Sequence, residues 1–323
     1  MSRIILELEH VSKHFKLGGI KNIGKKVHAM DDVCFSLAAG ESLALVGESG
    51  SGKTTTASVV AGLYEKTSGE IVFDGNPLRP FKNRGEALAY KKRVQMAFQD
   101  PFASLNPTHT IRAILERPFL IHGLASGKAE LEEKLVASLE QVGLSPAREY
   151  LRRFPHELSG GQRQRVNIAR TFAVEPEIVL ADEPTSMLDV SIRLGIMNMM
   201  LDLKEKKGVS YLYITHDLAG ARYMSSRIAV MYAGMIMEIG PTEEVISNAI
   251  HPYVRLLKAS APSPKGERGD ETLQVKGEIP SLVAPPSGCR FRTRCPFASP
   301  ACASEIPALR DIGGGHLVRC VLA

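Results

Sequence analysis

The sequence predicts an α/β fold with a mostly parallel sheet, helices on both of its faces and a helical insertion. Three observations carry that expectation. The apolar run SLALVGE (42–48) leads directly into a glycine-rich loop and a helix starting near Lys53. From about Ala87 to Arg153 apolar residues fall three or four apart, Leu131, Leu135, Leu139 and Val142 among them, with charges between. After Leu158, helix-like and strand-like segments alternate, the pattern of strands joined by crossover helices.

In chain order, LELEHV (6–11) and VCFSLA (33–38) read as strands, with Cys34 in the second as a core residue. The helical insertion occupies about 87–158. Beyond it come a helix over Gly161–Ala173, a strand EIVLAD (177–182), a helix near Ile192–Lys206 and a strand YLYIT (211–215). The stretch 260–288 is rich in proline, glycine and charge without apolar period, which predicts a linker. Residues 289–323, which hold four of the five cysteines, read as a separate small module. The division expected is therefore 1–255 and 256–323.

The 323 residues and 35.2 kDa fit one sizeable core with an appendage. A charged fraction of 23% and an apolar fraction of 44% exclude a disordered or fibrous chain. The longest nearly uncharged apolar stretch, Ile228 to Met237, is about half of the roughly 20 residues that a membrane-crossing helix needs. MSRIILELEHVSKHF alternates apolar and charged residues, unlike an export signal, so a cytoplasmic location is expected. A net charge of +5 with no basic stripe argues against nucleic acid as a partner.

Gly47-Glu48-Ser49-Gly50-Ser51-Gly52-Lys53-Thr54, followed by Thr55, matches G-x4-G-K-[ST] in the strand-to-helix position that the motif requires. Its glycines let backbone N–H groups face phosphates, Lys53 reaches the β- and γ-phosphates of ATP, and Thr54 can hold Mg²⁺. The strand EIVLAD ends in Asp182, suited to the Mg²⁺ shell. The next residue, Glu183, is placed to accept a proton from the attacking water. His216 follows YLYIT and can donate to the γ-phosphate or hold Glu183, and Gln99 after VQMAF can sense metal and water through a neutral amide. Taken singly, His216 reads better as a surface histidine, and Gln99 reads equally as a polar loop residue.

Leu158-Ser159-Gly160-Gly161-Gln162, between those motifs at a helix start, is similar to the signature of the ABC transporter ATPases. That resemblance, covering roughly residues 5–240, implies a P-loop NTPase with a RecA-like core, an N-terminal antiparallel β subdomain and an inserted helical subdomain. It implies Phe15 as the adenine-stacking aromatic, Gln99 as a metal- and coupling-sensing residue, Asp189 as a dimer contact and His216 as the switch. It also implies head-to-tail pairing, in which the signature meets ATP held by a second ATPase subunit. Two departures stand out, Met187 where alanine is usual and Phe15 where tyrosine is frequent; neither removes a catalytic group.

GESGSGKT, QDPFASLNP, PHELSGGQRQRVNIAR and IPSLVAPPSGCRFRTRCPFASPAC resemble, more narrowly, the oligopeptide/dipeptide import ATPases. This implies a peripheral subunit on the cytoplasmic face of the membrane, a related ATPase as heterodimer partner, two transmembrane permeases and an extracytoplasmic solute-binding protein. Phe102 to Asn106 would meet the permeases. Residues 211–240 resemble oligosaccharide importers, which leaves sugar as the alternative cargo; a soluble ABC ATPase acting on nucleic acid or ribosomes shares the nucleotide motifs alone.

Cys289, Cys295, Cys302 and Cys320 are spaced C-x5-C-x6-C-x17-C, matching neither a zinc ribbon nor the common ferredoxin runs. Disulfides do not persist in a reducing cytoplasm, which favours metal ligation. Some members of the resembled family carry a [4Fe–4S] cluster here, so the resemblance implies one; zinc and no metal remain the alternatives.

Overall fold

The computed structural model describes residues 3–19, 22, 24–260 and 278–323. They form two compact units, one holding the residues up to Pro80 and those from Tyr213 onward, the other Phe81–Leu212. Most of the expected linker, 261–277, lies outside the described residues.

The first unit opens with β1 (Ile4–Lys16) and β2 (Lys26–Ala38), paired antiparallel with Phe15 opposite Val27. β3 (Ser42–Val46) is buried at every position, as its continuous apolar run demands of a strand covered on both faces. It feeds the glycine loop and α1 (Lys53–Val60). β4 (Ser68–Phe73) and β5 (Asn76–Pro77) complete an antiparallel sheet of order β2-β1-β4-β5, the N-terminal β subdomain that the resemblance implied.

The second unit contains α2 (Arg84–Arg93), β6 (Val94–Ala97), α3 (Pro101–Ser104), α4 (Ile111–Ile121), α5 (Lys128–Gln141), α6 (Ala147–Arg152), α7 (Gly160–Phe172), β7 (Ile178–Asp182) and α8 (Val190–Lys207). Caps start several of these helices: Asn83 accepts from Glu86 N at 2.9 Å, and Thr110 from Ala113 N at 3.3 Å. Leu115, Leu135, Leu139 and Val142 form the apolar interior of the helical part, while Leu131 is only half-buried. β6 and β7 pair parallel. α8 stops at Gly208, in the left-handed conformation that frees the chain to turn.

β8 (Ser210–Thr215) contains the division between the units. α9 (Leu218–Met224), β9 (Arg227–Tyr232), β10 (Met235–Pro241), α10 (Thr242–Ser247) and α11 (Pro252–Ser260) then return to the first unit. β9 runs parallel to β3, whereas β10 is antiparallel to β9. The turn between them is Ala233-Gly234, with φ of 47° and 86°, the two positive values that a tight hairpin needs.

The tail differs from expectation. α12 (Ala301–Ser304), β11 (Arg310–Asp311) and β12 (Leu317–Val318) belong to the first unit, and β12 extends its sheet by pairing with β10. Cys289, Phe291 and Cys302 lie in one apolar cluster with Tyr232, Val245 and Tyr253. A tail of this size cannot build a core of its own, so its apolar residues are buried against the larger body instead of in a detached module.

Candidate functional site

In the first unit the glycine loop has little steric freedom. A Cβ on Gly47 would meet Met231 O at 2.1 Å, and one on Gly52, at φ 105°, would meet Ala29 O at 2.3 Å. Lys53 is buried, and its ammonium donates to Gly47 O at 2.8 Å and Glu48 O at 2.9 Å. A buried charge so close to the loop's own carbonyls is poised to exchange them for a phosphate. His216 is exposed just beyond β8, and Asp217 beside it caps α9, accepting from Ala219 N at 2.9 Å and Gly220 N at 3.1 Å.

Phe15 is half-buried near the end of β1, edge-on to Tyr64 at 5.2 Å, with the Lys13 ammonium 4.9 Å from its ring. The pair presents an aromatic surface of which Tyr64 was not foreseen; its position after α1 carries no motif.

In the second unit β7 delivers a fully buried Asp182 and, one residue later, a half-buried Glu183. Glu183 has φ 43°, a left-handed backbone that is costly for a side chain and is met where a site fixes geometry. Gln99 Nε2 lies 3.3 Å from Glu183 Oε2, so the structure brings these two residues together. Asp100 turns the chain next to Gln99 by accepting from Phe102 N at 2.7 Å and Ala103 N at 3.1 Å. Phe102 is about half exposed beneath the Arg163 guanidinium, 4.3 Å away, and Arg170 donates to Ser104 O at 2.7 Å. Two arginines of α7 thus hold the segment 102–106.

α7 begins with the pentapeptide 158–162. Leu158 is buried, Ser159 Oγ accepts from Gln162 N at 3.3 Å, and Gln162 Oε1 accepts from Ser159 N at 3.0 Å. This reciprocal cap leaves the hydroxyl proton of Ser159 to donate to an anion at the positive end of a thirteen-residue helix. Asp189 is exposed at the start of α8, close to the exposed Met187 and Val190.

Cys289 N donates to Cys302 O at 2.8 Å, and Cys295 packs on the cluster that holds both residues. Burial pushes the Cys289 thiol up to about 11, and the sulfurs of Cys302, Cys320 and Cys295 act in the same direction. No three of these four sulfurs lie within 4.8 Å of one another. A single tetrahedral zinc holds its thiolates about 3.8 Å apart. Two closer sets exist among the described residues, His14/His28/Asp31 and His10/Asp32/Cys34. Each carboxylate there already pairs with an arginine, Asp31 with Arg290 and Asp32 with Arg319, so both sets are ion networks.

A glycine loop wrapped around a buried lysine, a strand ending in Asp-Glu and a capped helix opening on Ser-Gly-Gly together define a P-loop ATPase of the cassette class. Residues 30–186 match the ABC transporter family and residues 237–302 the C-terminal region of oligopeptide/dipeptide transporters. The oligopeptide transport ATP-binding protein AppF of Bacillus subtilis is 43% identical over 98% of this chain and 97% of its own length. A putative peptide import ATP-binding protein of Brucella ovis is 44% identical, again over 98% and 97%. Among solved structures, the dimeric cassette MJ0796 bound to ADP and Pi superposes with a TM-score of 0.65 at 28% identity, over 74% of this chain and 99% of that one. The chain belongs to the ATP-binding proteins of the ABC transporter family, and its enzymatic activity is ATP hydrolysis. No helix among the described residues is long and apolar enough to cross a membrane.

Proposed function

We propose that this chain is the ATP-hydrolysing subunit that drives uptake of oligopeptides or dipeptides through an ABC importer. The observation that carries the reading is likeness along nearly the whole length, tail included, to peptide-transport ATP-binding proteins. The same likeness favours peptide over oligosaccharide cargo and over action on nucleic acid or ribosomes. On this reading residues 1–255 are the ATPase domain, with the helical subdomain at about 87–158, and 256–323 the extension.

Phe15 is assigned to adenine and residues 47–55 to the phosphates, with Lys53 exchanging its carbonyl partners for phosphate oxygens. Glu183 is assigned as the base for the attacking water, and Gln99 orients it through the contact at 3.3 Å. His216 donates to the γ-phosphate or holds Glu183. Thr54, Gln99 and Asp182 are each assigned as an oxygen donor to Mg²⁺, a choice that suits a hard cation; the ion would supply charge neutralisation when bound. Leu158 to Gln162 and Asp189 face the second ATPase, most simply a related heterodimer partner. Phe102 to Asn106 face two permeases, served by an extracytoplasmic binding protein, with the subunit peripheral on the cytoplasmic side.

For the tail, Cys289, Cys295, Cys302 and Cys320 are assigned to a [4Fe–4S] cluster. The C-x5-C-x6-C-x17-C spacing matches no zinc ribbon, and the likeness to peptide-import ATPases favours a cluster over zinc or no metal. Its role on this reading is structural, supplying cohesion to a short extension.

The test is to purify the complex formed around this chain anaerobically and assay ATP hydrolysis with peptides and oligosaccharides supplied through the binding protein. Copurifying permeases and stimulation by peptide are expected. A soluble particle bound to nucleic acid, or stimulation by sugar alone, overturns the assignment.

A further inference from the structure

Three arginines of the cysteine tail pair with three carboxylates from the first fifty residues of the chain. Arg290 bonds Asp31, Arg319 lies 2.8 Å from Asp32, and Arg294 lies 2.9 Å from Glu48. The third pair differs from the other two in its position, because Glu48 is the second residue of the phosphate loop and Arg294 stands 246 residues away.

We propose that Arg294 is a positioning residue for ATP binding: presented by the cysteine-bearing turn, its guanidinium fixes Glu48 and thereby the backbone of the phosphate loop. This inference rests on the ATPase reading above.

The contacts converge on one peptide unit. Arg294 reaches both Glu48 carboxylate oxygens, at 3.2 and 2.9 Å, with its side chain 12% exposed and that of Glu48 25%. Glu48 N donates to Tyr253 Oη at 2.9 Å, and Glu48 O accepts from Lys53 at 2.9 Å. Side chain, N–H and carbonyl of Glu48 are therefore all held, and the carbonyl is one of the two that Lys53 must release when phosphate enters. A loop anchored through its side chain keeps its shape when that release occurs; an unanchored loop must be reordered by the nucleotide, which weakens binding.

Arg294 is itself tightly held. Its backbone N and that of Cys295 both donate to Phe291 O at 2.9 Å, so the residue that reaches Glu48 and the adjoining cysteine share one turn. The guanidinium carbon lies 5.6 Å from the Tyr232 ring and 5.9 Å from Phe291, and Nη1 is 3.4 Å from Tyr232 Oη. Its Nε is buried without a partner among the described residues, and the fork's hydrogen bonds go to Glu48 and Tyr232. The Tyr232 and Tyr253 rings pack tilted by 55° with centroids 4.6 Å apart, which fixes the hydroxyl that meets Glu48 N.

The test measures binding of the non-hydrolysable analogue AMP-PNP with Mg²⁺ to the full-length chain, together with its thermal midpoint. Arg294→Gln should raise Kd roughly three- to ten-fold, the usual range for a coupling residue. Glu48→Gln should raise it equally, the double variant should be no weaker than either single one, and Arg294→Lys should restore most of the affinity. In turnover assays of Arg294→Gln the loss should appear in KM and leave kcat close to wild type. Should Arg294→Gln fail to fold, Glu48→Gln with the tail intact reads the same contact from the loop side. Wild-type affinity in both single variants, or effects that multiply in the double variant, overturns the inference. A wild-type chain that binds no nucleotide overturns the ATPase reading instead, so the two failures are distinct.

Discussion

Gln99 and Glu183, 84 residues apart in sequence, meet with Nε2 and Oε2 3.3 Å apart. An amide donor directed at a carboxylate oxygen fixes the orientation of that carboxylate. The same amide begins a segment whose next residue, Asp100, caps the turn that presents Phe102. A displacement of that segment therefore reaches Glu183 through one side chain.

Glu183→Gln is expected to retain ATP binding while turnover falls about 10²- to 10⁴-fold, the contribution of a positioned general base. The variant should also accumulate as a closed dimer when ATP is present. Single-turnover hydrolysis and size-exclusion chromatography check both effects, and hydrolysis at the wild-type rate removes Glu183 from the role of base.

Lys53→Ala removes the ammonium that now bonds Gly47 O and Glu48 O. It should weaken nucleotide binding at least about ten-fold, since a charge-assisted contact to phosphate is lost. Calorimetric titration with ADP and with AMP-PNP separates the phosphates concerned; a larger loss for AMP-PNP is expected, because Lys53 is assigned to the β- and γ-phosphates.

Ser159→Ala should cost about 1 kcal/mol of stability through loss of the cap on α7. A Ser159→Asn variant restores the cap without the hydroxyl. Equal stability with diminished ATPase in Ser159→Asn would separate the anion-binding role from the capping role, whereas full activity would leave Ser159 a cap alone.

The contiguous motifs were legible because each is one piece of backbone: the loop 47–54, the pentapeptide 158–162 and the Asp182-Glu183 strand end need no folding to be read. Gln99 is legible only as a metal- and water-sensing amide; its contact with Glu183 requires the fold to bring the residues together. The β9–β10 hairpin read as a single apolar run because its turn, Ala233-Gly234, contains no polar residue. The seating of the tail is illegible for another reason. Its cysteines attracted attention to metal spacing, while Arg290, Arg294 and Arg319, which tie it to the body, are spread along the sequence with no period. Only the positions of their partners, Asp31, Glu48 and Asp32, give them meaning.

On the cluster reading, Cys302→Ser should lower the iron content of anaerobically purified protein and abolish the visible absorption of a cluster. The thermal midpoint should fall at the same time, because Cys302 is buried in the apolar cluster shared with Tyr232 and Tyr253. Iron analysis with and without the substitution decides the point: unchanged iron, or none in either protein, excludes Cys302 as a ligand.

His251 gives a stability prediction with a definite sign. Burial drives its pKa down to about 3, and its Nδ1 accepts from Tyr253 N at 3.1 Å, which requires the neutral ring. An unfolded histidine titrates near 6.5, so below that pH the unfolded chain binds a proton that the folded chain refuses. The stabilisation from this residue is complete above 6.5 and is lost, by about 1.4 kcal/mol per pH unit, as the pH falls toward 3. Glu238 acts in the opposite sense: burial raises its pKa, so above its unfolded value near 4.5 the folded state takes up a proton first. His251→Asn keeps an acceptor for Tyr253 N but does not titrate. Between pH 7 and pH 5 it should therefore lose about 2 kcal/mol less stability than the wild type in urea unfolding. Parallel pH profiles for the two proteins would show that His251 is not the group that the folded state holds neutral.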